Sequence, residues 1–407
     1  MSDDLSLYLE DHHVMMREMV REFAEAEIAP VAEYHDEHEE FPWKNAAKMA
    51  ELGLFGIPFE DRYGGADMDL LASVIASEEL ARVDASHSIT VGAHISLACT
   101  PIHRWGSEEQ KAKYLAPLAS GQVLGGFGLT EPNAGSDAGG TETTAVRKGD
   151  HYVLNGQKTW ITHGGVGEIF VVAASTSPDK GAYGISAFIL TKETCDLDVA
   201  TELGFGHSDE LEPMPGFSAG QKLRKLGWNA SDTRELILED VEVPVENLLG
   251  EEDKGFPVFL DTLDGGRVGI AAHALGIAQG AFELAARYTG ERRQFGKQIN
   301  EFHGVQFMLA EMATRIHAAR LLTYHAARLR MEGKPHKKEA SMAKLFASEA
   351  AMDVTTKAVQ LHGGYGYSRE YAVERMMRDA KITEIGEGTS EIQKIVIARE
   401  VLKEFQG

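Results

Sequence analysis

Three stretches near the end of the chain, 267–289, 303–330 and 338–360, are rich in Ala and carry Leu, Met or Phe at spacings of three and four. That periodicity lays an apolar stripe along one side of a helix. Helices of this length bury such stripes against one another, so the three runs predict an antiparallel bundle. A last helix is expected over 390–403, where Ile392, Ile395, Val396 and Leu402 fall on one side. At 407 residues the chain exceeds what one hydrophobic core usually organises, so the bundle is expected to be one of several domains.

The beginning of the chain also reads as helical. Met16, Met19, Val20 and Phe23 recur at helical spacing until Pro30. Further helices are expected from Trp43 onward, over 69–82 and over 86–99. Ser107, followed three residues later by Gln110, is a capping-box start. Near residue 121 the sequence turns to Gly, Thr, Val and Ile, and 170–174, 185–190 and 236–243 read as strands. Asn155-Gly156, between two apolar runs, reads as the tight turn of a hairpin. The segment 191–221 mixes Gly, Pro and acidic residues and reads as a surface excursion between strands. No βαβ alternation supports a Rossmann sheet. The expected fold is therefore α+β, in three parts. These are an N-terminal helical domain at 1–122, a middle antiparallel β domain at 123–250 with its excursion, and a C-terminal four-helix-type bundle at 251–407.

Charge narrows the possible partners. Forty Lys and Arg against sixty-three Asp and Glu give a formal net charge of -23. Such a surface repels nucleic-acid phosphates and anionic lipid, so neither nucleic acid nor membrane insertion is expected. A few local Arg and Lys can still grip an anionic ligand. A salt-adapted cytoplasm and an ordinary acidic protein both account for the excess. Cys99 and Cys195 are far apart in sequence and read as two reduced thiols, without a disulfide framework or a cysteine metal site. The opening MSDDLSLYLEDHH has neither a basic flank nor an apolar stretch, and no run reads as a membrane span, so a cytoplasmic location is expected. No metal is expected: His12, His13, His35 and His38 sit in polar, acidic sequence and read as surface histidines.

Several motifs invite chemistry. Glycines at 149–159, 290–297 and 363–366 imitate nucleotide loops but fail on spacing or context. Gln360, His362, Tyr365 and Tyr367 around the last of these leave two readings open, a helix stop and a ligand-facing turn. The run FGLTEPNAGSD at 127–137 suits hydrogen bonding to a polar ligand, or a domain-linking loop. Glu387 lies between two glycines just before a helix. On the residues alone it is either a base on a closely approachable loop or an acidic residue beside a helix N-terminus.

Five segments carry a resemblance: LTEPNAGSD at 129–137, WITHGG at 160–165, ERRQFGKQI at 291–299, QLHGGYGY at 360–367 and RDAKITEIGEGTSEIQ at 378–393. In this order and spacing the chain resembles the acyl-CoA dehydrogenase family over essentially its whole length. The resemblance implies noncovalent FAD, an acyl-CoA substrate and a homotetramer built as a dimer of dimers. It implies that Glu387 takes the α-proton of the thioester while the β-hydride goes to flavin N5, yielding the trans-2-enoyl-CoA. It places Thr130 and Ser136 around the isoalloxazine, Trp160 and Thr162 along the flavin ring, and Thr389 at the pocket's edge. Arg292, Phe295, Gln360, Gly363 and Gly364 would cross a dimer interface to the adenine and pyrophosphate. Asp264 and Arg267 match the element near the adenosine end of CoA, Ser136 is also placed to touch the pantetheine or thioester, and Gly386 flanks the acyl chain. The implied electron acceptor is an electron-transfer flavoprotein.

Three positions depart from the family pattern. His163 stands where Asn is frequent, and the 191–221 connection is longer than usual. Gly386 stands where straight-chain members often carry Tyr, which leaves room for short, branched or bulkier acyl groups. Members that place the base on a bundle helix direct attention to Asp261 and Asp264 instead. The competing classes are a scaffold that binds acyl-CoA without reacting and an oxidase that passes electrons to oxygen. The base at Glu387 weighs against the first, and the absence of a large C-terminal extension against the second.

Overall fold

The structure, a computed structural model, describes residues 9–405. Helices Asp11–Phe23, Ala32–His38, Trp43–Glu51, Leu70–Val83, Ala85–Ala93 and Thr100–Trp105 form the N-terminal part. The capping box is present: Ser107 Oγ accepts from the Gln110 N–H at 3.2 Å, and Gln110 Oε1 accepts from the Ser107 N–H at 3.0 Å. Helix Leu70–Val83 is buried on nearly all sides, its charged residues included. Its Glu78 receives Arg320 at 2.8 and 2.9 Å and the Tyr324 hydroxyl at 2.8 Å, while Glu79 receives Arg21 at 2.9 Å. These buried pairs join it to the bundle on one side and to the first helix on the other. Burial of a carboxylate is tolerated only when such partners replace its water.

His13 is not a surface histidine, contrary to expectation: it is fully buried. Its Nδ1 accepts the Glu10 N–H at 3.0 Å, so its Nε2 carries the proton and donates to Asp69 at 2.9 Å. Asp69 in turn caps helix Leu70–Val83 by accepting the Ala72 N–H at 2.8 Å. His12, His13 and Asp69 converge closely enough for a metal ion, but a protonated Nε2 has no lone pair to offer one.

The middle part is one sheet of eight strands: β1 Gly125–Gly128, β2 Thr144–Lys148, β3 His151–Thr162, β4 Ile169–Ser175, β5 Ile185–Thr191, β6 Phe217–Ala219, β7 Thr233–Pro244 and β8 Leu248–Leu249. The order is β6-β7-β3-β2-β4-β5-β8, with β1 paired to β4 in parallel and most other pairs antiparallel. β4 and β5 are buried throughout, as their continuous apolar runs require.

The expected hairpin at Asn155-Gly156 is absent, because β3 runs unbroken through both residues. The turn lies earlier, at Gly149-Asp150, where Lys148 pairs with His151 and Gly149 has φ +69°. Asn155 instead marks an irregularity in the β3–β7 register, exchanging hydrogen bonds with Asp240 at 2.9 and 3.0 Å. Gly156 is required by close approach, since a Cβ there would lie 2.4 Å from Thr143 Oγ1. Pairing along twelve residues of β3 outweighs the local preference for a turn.

The 191–221 segment is more than a surface excursion. It holds helix Leu197–Leu203 and strand β6, and Phe205 is buried against Trp43 and Phe55 of the N-terminal part at 6.0 and 5.8 Å between ring centres. Trp43 Nε1 donates to Asp196 at 3.2 Å, and the Gly206 N–H donates to Gln122 O at 2.6 Å. The segment therefore staples the sheet to the first helices.

The C-terminal part contains helices Gly255–Glu291, His303–Met331, Lys337–His362, Val373–Lys381 and Ser390–Phe405. Alanines at 271, 272, 274, 278, 281 and 285 are buried on the first of these, and at 340, 343, 347, 350, 351 and 358 on the third. Small side chains let these two helices approach closely. Helix Gly255–Glu291 is the one helix, among the described residues, long and apolar enough to cross a membrane. Its most apolar window is 78% buried within the protein, which marks it as a core helix. It meets the sheet where the Phe127 and Phe259 rings lie 5.0 Å apart.

Candidate active site

Glu387 sits on the loop between helices Val373–Lys381 and Ser390–Phe405. Glu387 and Gly388 both have left-handed backbone, with φ +53° and +94°. Glycine adopts that region freely, but a glutamate there must be held by its surroundings. The Gly388 carbonyl accepts from Lys344 Nζ at 2.7 Å and from Gln393 Nε2 at 2.8 Å, and Gln393 also reaches the Glu387 carbonyl at 3.4 Å. Thr389, expected at the pocket's edge, opens the last helix by accepting the Ile392 N–H at 3.4 Å.

The turn aims the Glu387 carboxylate at helix Gly255–Glu291. Gly266 on that helix makes the space: a Cβ there would lie 1.9 Å from Glu387 Oε2. Oε2 is buried and has no hydrogen-bond partner. Loss of water raises the carboxyl pKa to about 7, against the opposing pull of the Lys344 and Arg267 charges. Burial lowers the Lys344 pKa to about 8, although the Glu387 charge favours its protonated form. A carboxylate poised near neutrality and free of hydrogen bonds is equipped to accept a proton from a bound ligand.

Asp261 and Asp264 differ from Glu387 in that each is held at ion-pair distance by a cation, although Asp261 Oδ2, like Glu387 Oε2, is buried without a hydrogen-bond partner. Asp261 forms an ion pair with Arg104 at 2.8 Å, and Asp264 with Arg267 at 2.5 Å. Arg267, expected near the adenosine end of CoA, is buried and acts electrostatically on the Glu387 carboxylate. A Cβ at Gly386 would meet only Ile382, at ordinary contact distances of 3.5 and 4.0 Å, so the position tolerates a side chain that glycine does not supply.

A second group of expected residues comes from the sheet. The buried Lys158 and Glu131 pair at 2.5 Å, and Glu131 also accepts the Thr143 hydroxyl at 2.6 Å and the Glu142 N–H at 2.6 Å. This pair fixes the 129–137 loop on β3, and the Thr159 N–H donates to Thr130 O at 2.9 Å beside it. A break in the β3–β7 register between Lys158 and Ile161 leaves Trp160 with φ +61° and 62% exposed. An indole held outward on a rigid strand presents a flat apolar surface that a planar ligand can cover. Thr162 follows it, paired with Thr233, and Ser136 is exposed on the neighbouring loop. His163 is buried behind them, its Nδ1 donating to Gly125 O at 2.9 Å.

A third group gathers around a cleft of about 540 Å³ where helix Gly255–Glu291 ends and helix Lys337–His362 turns at Gly363. Arg292, Gln360, Gly363 and Gly364 all line it, with Tyr288 and Tyr365. The Arg292 guanidinium lies over the Tyr365 ring at 5.5 Å. His362 and Tyr365, flagged with Gln360 in the sequence, line the cleft too, whereas Tyr367 is 90% exposed. Phe295 does not line it: it stands 94% exposed at the tip of the short ribbon 293–298. A guanidinium, an amide and bare glycine backbone form a donor set suited to phosphate oxygens.

Sequence reasoning missed Lys344, Gly266 and Gln393. Two of them carried a signal: Lys344 stands among small residues in ASMAKLFASEAA, and Gly265-Gly266 interrupts a helical run.

Comparison with known proteins identifies relatives over nearly the full length of the chain. The family models described as the N-terminal, middle and C-terminal domains of acyl-CoA dehydrogenase match residues 10–122, 126–241 and 253–402. A short-chain specific acyl-CoA dehydrogenase of Clostridium acetobutylicum is 52% identical over 389 residues, covering 96% of this chain and 97% of that protein. A solved structure described as the electron transferring flavoprotein of Acidaminococcus fermentans superposes with a TM-score of 0.91 at 50% identity, covering 97% of this chain and 98% of that one. The butyryl-CoA dehydrogenase of Megasphaera elsdenii superposes with a TM-score of 0.90 at 45% identity, covering 97% and 99%. With three domain models in order and this identity over nearly its full length, the chain belongs to the acyl-CoA dehydrogenase family.

Proposed function

We propose that the protein oxidises a short or branched acyl-CoA thioester to its trans-2-enoyl-CoA, with Glu387 as the base for the α-proton. The observation that carries this reading is the Glu387 carboxylate itself. Its Oε2 is buried and unpartnered, and the carboxyl is poised near neutrality and given its space by Gly266. A proton next to a thioester carbonyl is too weakly acidic for water to remove at a useful rate. A base with a proton affinity near the working pH combines availability with driving force. Lys344 and Arg267 keep the carboxylate ionised in surroundings that would otherwise protonate it.

The donor set of the cleft and the exposed indole fit FAD. Arg292 and Gln360, with the backbone at Gly363 and Gly364, would hold its phosphates, and Trp160, with Thr130, Ser136 and Thr162, would flank its ring system. When bound, FAD supplies the acceptor for the β-hydrogen as hydride. Phe295 and Tyr367, next in sequence to the lining residues Gln294 and Ser368, are exposed aromatics. Covering those side chains with a second copy would complete the site, and the proposed assembly is a dimer of such dimers. The proposed electron acceptor is an electron-transfer flavoprotein.

The preference for short or branched chains rests on the side chain missing at Gly386 and on the short-chain relative. It is tested by anaerobic mixing of the yellow protein with straight thioesters of short and long chain and with branched ones. Flavin bleaching is expected to be fastest with a short or branched member. A clear optimum on long straight chains overturns the substrate assignment, and failure of every thioester to bleach the flavin overturns the activity.

A further inference from the structure

Lys344 is a fully buried lysine in the first third of helix Lys337–His362. Its ammonium group donates to a backbone carbonyl, Gly388 O at 2.7 Å, and not to a carboxylate. Removing an ammonium group from water without a hydrogen-bonded counter-ion is unfavourable, so the charge must be stabilised by what surrounds it. What faces it is the loop that carries the base. We infer that Lys344 is a positioning residue for the reaction: it fixes the left-handed Glu387–Gly388 turn through its backbone and supplies the cationic charge that keeps the base ionised. The inference rests on Glu387 being the base.

The charges around the base come from three elements besides its own loop. Lys344 lies on helix Lys337–His362, and Arg267 on helix Gly255–Glu291. Glu384, just before the turn, is paired with Lys381 at 2.6 Å, and Glu391 stands exposed on the last helix. The charge of Arg267 is shared with Asp264 at 2.5 Å, so it is only partly available to Glu387. Lys344 has no hydrogen bond to an acid and is therefore the principal cation acting on the base. Gln393 holds the same Gly388 carbonyl at 2.8 Å, so the turn keeps one clamp when the lysine is replaced. This separation allows the electrostatic role to be tested apart from the fold.

Lys344→Gln keeps a hydrogen-bond donor without the charge, Lys344→Met removes both, and Lys344→Arg keeps the charge. Flavin reduction by a short-chain acyl-CoA is followed anaerobically from about pH 6 to about pH 9, with rates taken per bound flavin. Removing a cation beside a carboxylate raises its pKa, so the acid limb should move upward in the Gln and Met variants. A displacement of about one pH unit would lower the rate roughly tenfold on the acid side, while the profiles converge on the alkaline side. The Arg variant should return the limb towards wild type, and KM for the thioester should stay within about threefold, because no contact with the ligand is lost. If the Met variant fails to fold, the Gln and Arg variants decide. A profile scaled down at every pH with its limb unmoved overturns the inference and leaves Lys344 as a structural clamp. Failure of the underlying reading looks different: Glu387→Gln would then reduce its flavin as fast as wild type.

Discussion

Replacing Gly266 by Ala would set a methyl carbon 1.9 Å from Glu387 Oε2 and 2.9 Å from its carboxyl carbon. Ordinary contact between such atoms lies at about 3.5 Å, so the carboxylate must retreat by roughly 1.5 Å. It cannot be accommodated by a helix shift, because Val268, Ile270 and Ala271 on the same helix are packed in the core. A reacting group misplaced by about 1 Å loses on the order of 100-fold in rate. Stability should change much less. Overpacking disfavours the variant by about 1–3 kcal/mol. Alanine is better than glycine inside a helix by about 1 kcal/mol, which offsets part of that. The assay is anaerobic rapid mixing with a short-chain acyl-CoA, alongside flavin content and a melting curve. We expect a fall of roughly 100-fold in flavin reduction with flavin retained and only a modest change in melting. A folded, flavin-bound variant reducing within threefold of wild type, as roughly judged against that 100-fold, would refute the geometry.

Three further outcomes follow from the same structure. Flavin reduction should rise with pH through an acid limb near 7, because Glu387, with its pKa at about 7, must be ionised to accept the proton. The sign for stability is opposite: the native state holds the Glu387 proton more tightly than the unfolded chain does, so this group's contribution is lost as pH rises through about 7. A pH-independent rate across that range would contradict both. Lys158→Met leaves the Glu131 carboxylate buried without its cation, held only by the Thr143 and Glu142 donors, and should destabilise by about 3 kcal/mol, measured by chemical unfolding, with partial recovery in the Lys158→Met, Glu131→Gln double variant. Arg292→Ala should weaken FAD retention on dilution while leaving the acid limb in place, since Arg292 lines the cleft and does not act on Glu387.

The helical, sheet and helical segments were legible because burying one face imposes a period that the residues display directly, as at 267–289 and 170–174. The Asn155-Gly156 turn misled because a dipeptide preference of this kind is local, whereas β3 is set by pairing with β7, nearly ninety residues away at Asp240. His13 read as exposed because Asp69, the group that buries it, is distant in sequence. The staple role of 191–221 depended in the same way on contacts with Trp43 and Phe55. Glu387 shows the limit most clearly. Its residue type and flanking glycines left a capping role open, and resemblance to the family pointed to a base. The features that equip it chemically, Gly266 opposite and Lys344 beneath, come from two other helices. No spacing within the loop could have revealed them.

The central claim is that Glu387 takes the α-proton, and the most direct test is flavin bleaching by a short-chain acyl-CoA in the Glu387→Gln variant. The amide preserves size and removes the basic charge. FAD and thioester binding should persist, because the proposed cofactor contacts lie in the cleft and on β3. General-base removal alone is worth about 100- to 10,000-fold, and here hydride transfer cannot proceed without loss of the α-proton. The account predicts a variant that stays yellow, binds the thioester and bleaches at least about 100-fold more slowly than wild type. Bleaching at a near wild-type rate would contradict it and return attention to Asp261, Asp264 and the helix that carries them.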